Sequence, residues 1–245
     1  NLCFSPHSIS IVLSMVYSGA RGQTESQMAD ALSFTLSQDA LHPAFNSLDL
    51  TLARPVDGDC ELHTVNSLWG QTGYEFLPAY LDLLAENYGA GLRALDFAQD
   101  PEAARQTINV WVEDQTEDRI RDLIRQGLIR TSTRLVLVNA IYFNAGWHHP
   151  FEEGLTRDGP FVLLDGTQID VPMMHQVEYF PFAEGAGYQA VELPYVGRET
   201  SMVILLPDEG QFQDFEETLD ADRVDTILAD LEHTNVHLAM PKFEY

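Results

Sequence analysis

The chain has 245 residues, 45% of them hydrophobic and 21% charged, enough to bury the core of one large domain. Thirty-eight carboxylates against 13 bases give a formal net charge of -25, a field that repels nucleic acid, whose binding depends on basic groups displacing counterions. No apolar run approaches the roughly 20 residues of a membrane-spanning helix, so neither nucleic acid nor membrane is the expected partner.

Only one base is a lysine, Lys242; the other twelve are arginines. Acidic runs are few, so the charge is spread over the surface and not held in a tail. Abundant Asp and Glu with almost no lysine points to a salt-adapted, halophilic source, where salt screens the self-repulsion. The two cysteines, Cys3 and Cys60, define no disulfide framework and no zinc spacing. Free thiols are the default reading, with a single bridge left open.

In chain order, Ser5 and Pro6 supply a cap and a first-turn proline for a helix whose apolar stripe reads Ile9, Val12, Leu13 and Val16, ending at Gly19 or Gly22. Thr24 followed by Gln27 is a capping-box pattern for a second helix. Residues 41–53 read as a third. Alternation through ELHTVNSLWGQ predicts a strand, FLPAYLDLLAENYG a helix closed by Gly89, and LRALDF a short strand. Pro101 opens a helix running to about residue 124, interrupted or bent near Gln115 and Thr116.

Beyond residue 160 the texture changes to short strands parted by Asp-Gly, Gly-Ala-Gly and Gly-Arg turns, with LLDGTQIDV as a hairpin. FQDFEETLDADRVDTILADL supplies a helical pair, and NVHLAMPKF a strand. Helices early and mostly antiparallel strands late make an α+β arrangement. With no linker, low-complexity tract or repeat, residues 1–245 read as a single domain.

Between the two halves lies RLVLVNAIYFNAGW, Arg134–Trp147, a nearly unbroken apolar run expected to be a strand buried on both faces. Asn139 sits in its middle. An amide left unpaired in a core costs roughly 1–3 kcal/mol. Either a neighbouring backbone satisfies it, or it marks a point where hydrogen bonds break and re-form.

No catalytic constellation emerges: there is no G-x-S-x-G elbow, H-E-x-x-H, C-x-x-C or P-loop. Two loose G-x-G-x-x-A matches, at Gly89 and Gly185, lack the strand–turn–helix order that a dinucleotide site needs. His148 and His149 are adjacent, so they cannot face one metal from a regular strand. No enzyme, cofactor or metal site is expected.

The order of motifs is specific. NLCFSPHSIS, SMVYSGARGQTESQMADAL, LVLVNAIYFNAGWHHPF, VPMM, YQAVELPYVGRETSMVILLPDEG and LAMPKF resemble, in content and order, the blocks of the serpin family across essentially the whole chain. The resemblance implies three β-sheets with a cluster of helices, and a suicide-substrate mechanism. A target serine endopeptidase, trypsin-, chymotrypsin- or subtilisin-like, cleaves an exposed loop. The loop then inserts as a strand into the main sheet, dragging the acylated enzyme with it. Such an insertion couples addition of a β-strand to release of stored strain.

By the same resemblance, Ser5, Ser8 and Asn139 belong to the shutter cluster where the main sheet parts, and Trp147 to the breach where insertion begins. His7 stands where an apolar residue is usual. The family pattern begins with one more helix and continues into further strands, a hinge and the reactive loop, so this chain is expected to be part of a longer protein and the scissile residue to lie outside it. The resemblance further implies a monomer acting outside the cell, although intracellular members exist. A non-inhibitory serpin, serving as a binding or carrier protein, is the alternative.

Overall fold

A computed structural model describes residues 4–53 and 61–243, so Cys3 and Cys60 lie outside the described residues. These residues gather into two compact units, a helical one up to Phe143 and a strand-rich one from Asn144 onward.

The helical unit holds α1 (Pro6–Tyr17), α2 (Gln23–Ala31), α3 (Gln38–Leu52), β1 (Glu61–Gln71), α4 (Pro78–Tyr88), β2 (Leu92–Leu95), α5 (Pro101–Gln115) and β3 (Leu135–Asn144). Its strands form one sheet in the order β2-β1-β3. β1 and β2 run parallel, Leu68 opposite Leu92. The N–H of Gln71, at the end of β1, reaches the carbonyl of Arg134, just before β3, at 2.9 Å. Asn66 meets Asn139 further along, so β1 and β3 run antiparallel in constant register.

Both faces of this sheet are covered. Trp69, Val136, Val138 and Ala140 pack with Ala104, Ile108 and Val112 of α5. Leu68, Leu135 and Leu137 pack on the opposite side with Ile11 and Met15 of α1 and with Leu84 and Tyr88 of α4. That double burial is why β3 reads as a continuous apolar run and does not alternate.

Three local expectations are corrected. The buried stripe of α1 is Ile11, Ser14 and Met15; Ile9 and Val16 are exposed, because a helix apolar nearly all round gives periodicity no face to choose. Helix α2 begins at Gln23 after Gly22, whose φ of 63° turns the chain before Thr24 is reached, so Thr24 is no cap. Helix α5 stops at Gln115 and does not resume. The hydroxyl of Thr116 donates to the carbonyl of Val112 at 2.7 Å, and Glu117 and Asp118 take left-handed φ of 50° and 62°.

The strand-rich unit holds β4 (Arg157–Val162), β5 (Gln168–Gly185), β6 (Tyr188–Pro194), β7 (Ser201–Pro207), α6 (Phe212–Glu217), α7 (Ala221–Ala229) and β8 (Glu232–Pro241). The expected Asp-Gly hairpin joins β4 to β5, Gly166 at φ 81°. The Gly-Ala-Gly turn joins β5 to β6, with Gly185 opposite Tyr188. Eighteen-residue β5 pairs β4 near its start, β6 at its end and β8 from Met173 to Phe182. Because β5 is shared, β4, β6, β7 and β8 join it in one hydrogen-bonded five-stranded sheet.

In the helical unit His42 of α3 is 1% exposed. Its Nδ1 lies 2.6 Å from the Tyr88 hydroxyl, and its Nε2 has no partner among the described residues. Burial, and then Arg21, hold its pKa below 6.5, with Asp39 opposing. An unfolded chain takes this proton more readily, so the contribution to stability is complete above pH 6.5 and drains as pH falls toward the lowered folded value. Urea midpoints measured from about pH 8 to pH 5 should fall on acidification, and His42→Gln should flatten that slope whatever it does to absolute stability. An unchanged slope would remove His42 as the cause.

Candidate functional site

The N-cap of α1 builds one side of the site. Ser5 has extended backbone, and its Oγ accepts the Ser8 N–H at 3.1 Å. Capping is therefore what the Ser5 hydroxyl does here. It starts the helix in a phase that puts Ser8 three residues before Ile11, on the stripe facing the sheet.

The other side is β3. Asn139 lies two residues beyond Leu137, hence on the same face of the strand, toward α1. Its Nδ2 donates to Oδ1 of Asn66 on β1 at 2.9 Å. Asn66 is a member of this candidate site that the sequence does not single out. A polar residue in an alternating strand is unremarkable by itself, and only the antiparallel register places it opposite Asn139.

Ser8 and Asn139 line one open cleft of about 530 Å³. Its walls are Ile9, Val12 and Leu13 of α1, Val136 to Val138 of β3, and Leu123, Ile124 and Ile129 of the segment after α5. Ile9, Val12 and Leu13 of the apolar stripe read in the sequence thus face this cleft. Two buried atoms here, Ser8 Oγ and Asn139 Oδ1, have no hydrogen-bond partner among the described residues. One is a hydroxyl that can donate or accept; the other can only accept. Among the described residues, β3 has a strand neighbour on one edge alone. The site is an apolar, strand-edged cleft carrying spare hydrogen-bonding capacity at its polar end.

His7 adds a tie between α1 and α3, its Nε2 3.0 Å from Asp49 Oδ1. Trp147 belongs to the strand-rich unit. Its ring stacks on Tyr195 with centroids 4.7 Å apart and planes 12° from parallel, and it meets Phe151 edge-on at 6.4 Å. Gly146–His148 is sewn to the end of β6: the Val196 N–H reaches the Gly146 carbonyl, and the His148 N–H the Pro194 carbonyl, each at 2.9 Å. His148 Nε2 accepts from Arg198 Nε at 3.0 Å. Burial, Arg198 and His149 all hold this histidine toward its neutral form. Among the described residues, no three His, Cys, Asp or Glu side chains are placed to hold a metal ion.

The Asn66–Asn139 pair makes a quantitative prediction. Replacing Asn66 by Leu strands the Asn139 amide between the cores and should cost about 1–3 kcal/mol in urea unfolding. Asn139→Leu should cost a similar amount. The double variant should cost clearly less than the two together, because neither polar group then remains unpaired. Additive losses would show that the two amides do not depend on each other.

A family model described as Serpin (serine protease inhibitor) matches residues 1–245. An uncharacterised serpin-like protein of Thermococcus kodakarensis is 41% identical over 100% of this chain and 57% of its own length. The leukocyte elastase inhibitor of Equus caballus is 42% identical over 211 residues, 85% of this chain and 55% of that protein. The chain therefore spans little more than half the length of these relatives. Among solved structures, ovalbumin from emu (Dromaius novaehollandiae) matches with a TM-score of 0.93 at 30% identity, over 98% of this chain and 67% of that one. A cleaved serpin 42Da matches with a TM-score of 0.90 at 31% identity, over 99% of this chain and 65% of that one. With the whole chain matched in sequence and nearly all of it in backbone, the chain belongs to the serpin family.

Proposed function

We propose that the protein containing this chain is a serine-endopeptidase inhibitor that works as a suicide substrate, with residues 1–245 forming part of a single serpin domain. The target cleaves a reactive loop outside this chain and becomes trapped as an acyl-enzyme when the loop adds to the main sheet. The observation that carries this reading is the polar end of the cleft. Asn139 stands mid-strand on β3, bonded to Asn66 on one side and with an unpartnered oxygen at a cleft shared with Ser8. A sheet that must part and re-form around a new strand needs polar groups that exchange partners without being stranded in a dry core.

In this reading Ser8 and Asn139 are the exchanging members of the shutter, Ser5 holds Ser8 in place, and Trp147 is the breach residue. Its ring is already stacked on Tyr195, a large planar surface suited to packing. The relatives include a leukocyte elastase inhibitor, which favours trypsin-, chymotrypsin- or subtilisin-like targets. Monomeric, extracellular action and a prokaryotic, salt-adapted source complete the proposal, the last from the 38 carboxylates against 13 bases.

The full-length protein, mixed with trypsin-, chymotrypsin-, elastase- and subtilisin-like proteases in high salt, should give with one of them a heat- and detergent-stable band at the summed mass. Asn139→Leu should change the yield of that band relative to free cleaved protein, because insertion competes with deacylation. Clean cleavage with no such band, both proteins remaining folded, would overturn the inhibitory reading in favour of a non-inhibitory carrier.

A further inference from the structure

The segment from Thr116 to Arg134, between α5 and β3, is chemically unlike the rest of the chain. It carries five of the twelve arginines, Arg119, Arg121, Arg125, Arg130 and Arg134, against three carboxylates, Glu117, Asp118 and Asp122. The other 226 residues hold seven arginines and one lysine. A chain with net charge -25 thus concentrates cations in one strap, and all five guanidinium side chains belong to exposed residues.

With carboxylates in threefold excess, these arginines still form no ion pair among the described residues; the arginine pairs found are those of Arg105 with Glu102 and Asp122. Arg119 lies over the Tyr142 ring at 5.6 Å. Arg121 donates to the Asp118 carbonyl, and Arg134 to those of Thr131 and Thr133. The side chains of Arg125 and Arg130 have no hydrogen-bond or ion-pair partner among the described residues.

The strap is also held. Asn109 of α5 makes two bonds to Ile124, its Nδ2 donating to the carbonyl at 3.0 Å and its Oδ1 accepting the N–H at 2.9 Å. Arg105 donates to the same carbonyl at 2.7 Å. Glu117, Asp118 and Asp122 adopt φ of 50°, 62° and 48°, conformations that side-chain-bearing residues rarely take and that persist only where surrounding structure over-determines them. Arg125 is therefore displayed one residue beyond a pinned backbone, so less ordering is lost when it engages a ligand.

From this placement we infer that the Thr116–Arg134 strap is a docking surface for an acidic, carboxylate-bearing segment of a partner protein, with Arg125 and Arg130 as its contact residues. The planar fork of arginine matches the two oxygens of a carboxylate, where lysine offers only a point charge. A long polyanion fits less well. It would run off the strap past Glu113 and Asp114 of α5 and over the acidic remainder of the chain, where like charge opposes it. A short acidic segment over residues 123–134 meets Arg125, Arg130 and Arg134, and that stretch carries no carboxylate. The inference is independent of protease inhibition and stands or falls apart from it.

The test uses the full-length protein and a fluorescein-labelled peptide of about twelve residues with glutamate at alternate positions, followed by anisotropy in about 0.1 M salt. The glutamate peptide should bind and its glutamine counterpart should not. The Arg125→Gln/Arg130→Gln variant should weaken binding at least about fivefold, while Arg157→Gln, far along the chain, should not. Arg125→Lys/Arg130→Lys should fall between them, because charge remains and the fork is lost. Circular dichroism matching the parent protein establishes that each variant is folded. No binding, or binding unchanged in the glutamine variant, overturns the inference. Preference for a sulfated oligosaccharide, lost in the same variant, overturns the partner class, and self-association driven by these arginines overturns it in favour of a second copy.

Discussion

A strand covered on both faces can carry a polar side chain only where a partner of matching polarity stands across from it. That constraint organises the helical unit. β3 is packed by α5 on one side and by α1 and α4 on the other, and Asn66 answers the Asn139 amide at 2.9 Å. The bond holds only in the antiparallel register of β1 and β3. A slip of β3 by one residue would turn Asn139 to the opposite face, away from Asn66. The pair thus specifies register as well as satisfying hydrogen bonds.

The same chemistry explains why α1 is shaped as it is. An ordinary surface helix shows one apolar stripe; this one is apolar on most of its circumference, because Ile11 and Met15 serve the core while Ile9, Val12 and Leu13 wall the cleft. Ser5 sets its phase through the cap. Ser8 stands where the two apolar sides meet the polar end of the sheet.

Arg93, Arg223 and Arg105 each use the planarity of the guanidinium. Arg93 lies 5.3 Å and 5.1 Å from the ring centroids of Trp69 and Trp111, which themselves meet edge-on at 5.8 Å. Arg223 covers Phe215 at 4.4 Å, and Arg105 forks onto Glu102 while reaching the Ile124 carbonyl. A flexible ammonium would do none of these as well. The strap's arginines depart from the pattern: Arg121 and Arg134 bond backbone carbonyls and Arg119 lies over a ring, which leaves Arg125 and Arg130 directed at neither aromatic face nor carboxylate.

Much of the fold was legible in the residues alone. Cap, proline and glycine signals mark α1 and α4, the Asp-Gly and Gly-Ala-Gly turns mark the hairpins, and the apolar run of β3 announces burial on both faces, because these signals act over a few neighbouring residues. Ordered blocks along the whole chain sufficed to name the family. What the sequence could not decide were questions of partnership. Which side of α1 enters the core depends on what packs against it. That Asn66 is the partner of Asn139 depends on a register 73 residues long in sequence separation. The break near Gln115 and Thr116 was legible, but that α5 does not resume beyond it depends on Thr116, Glu117 and Asp118 being held in a turn. Local chemistry writes the elements, and long-range packing assigns each side chain its counterpart.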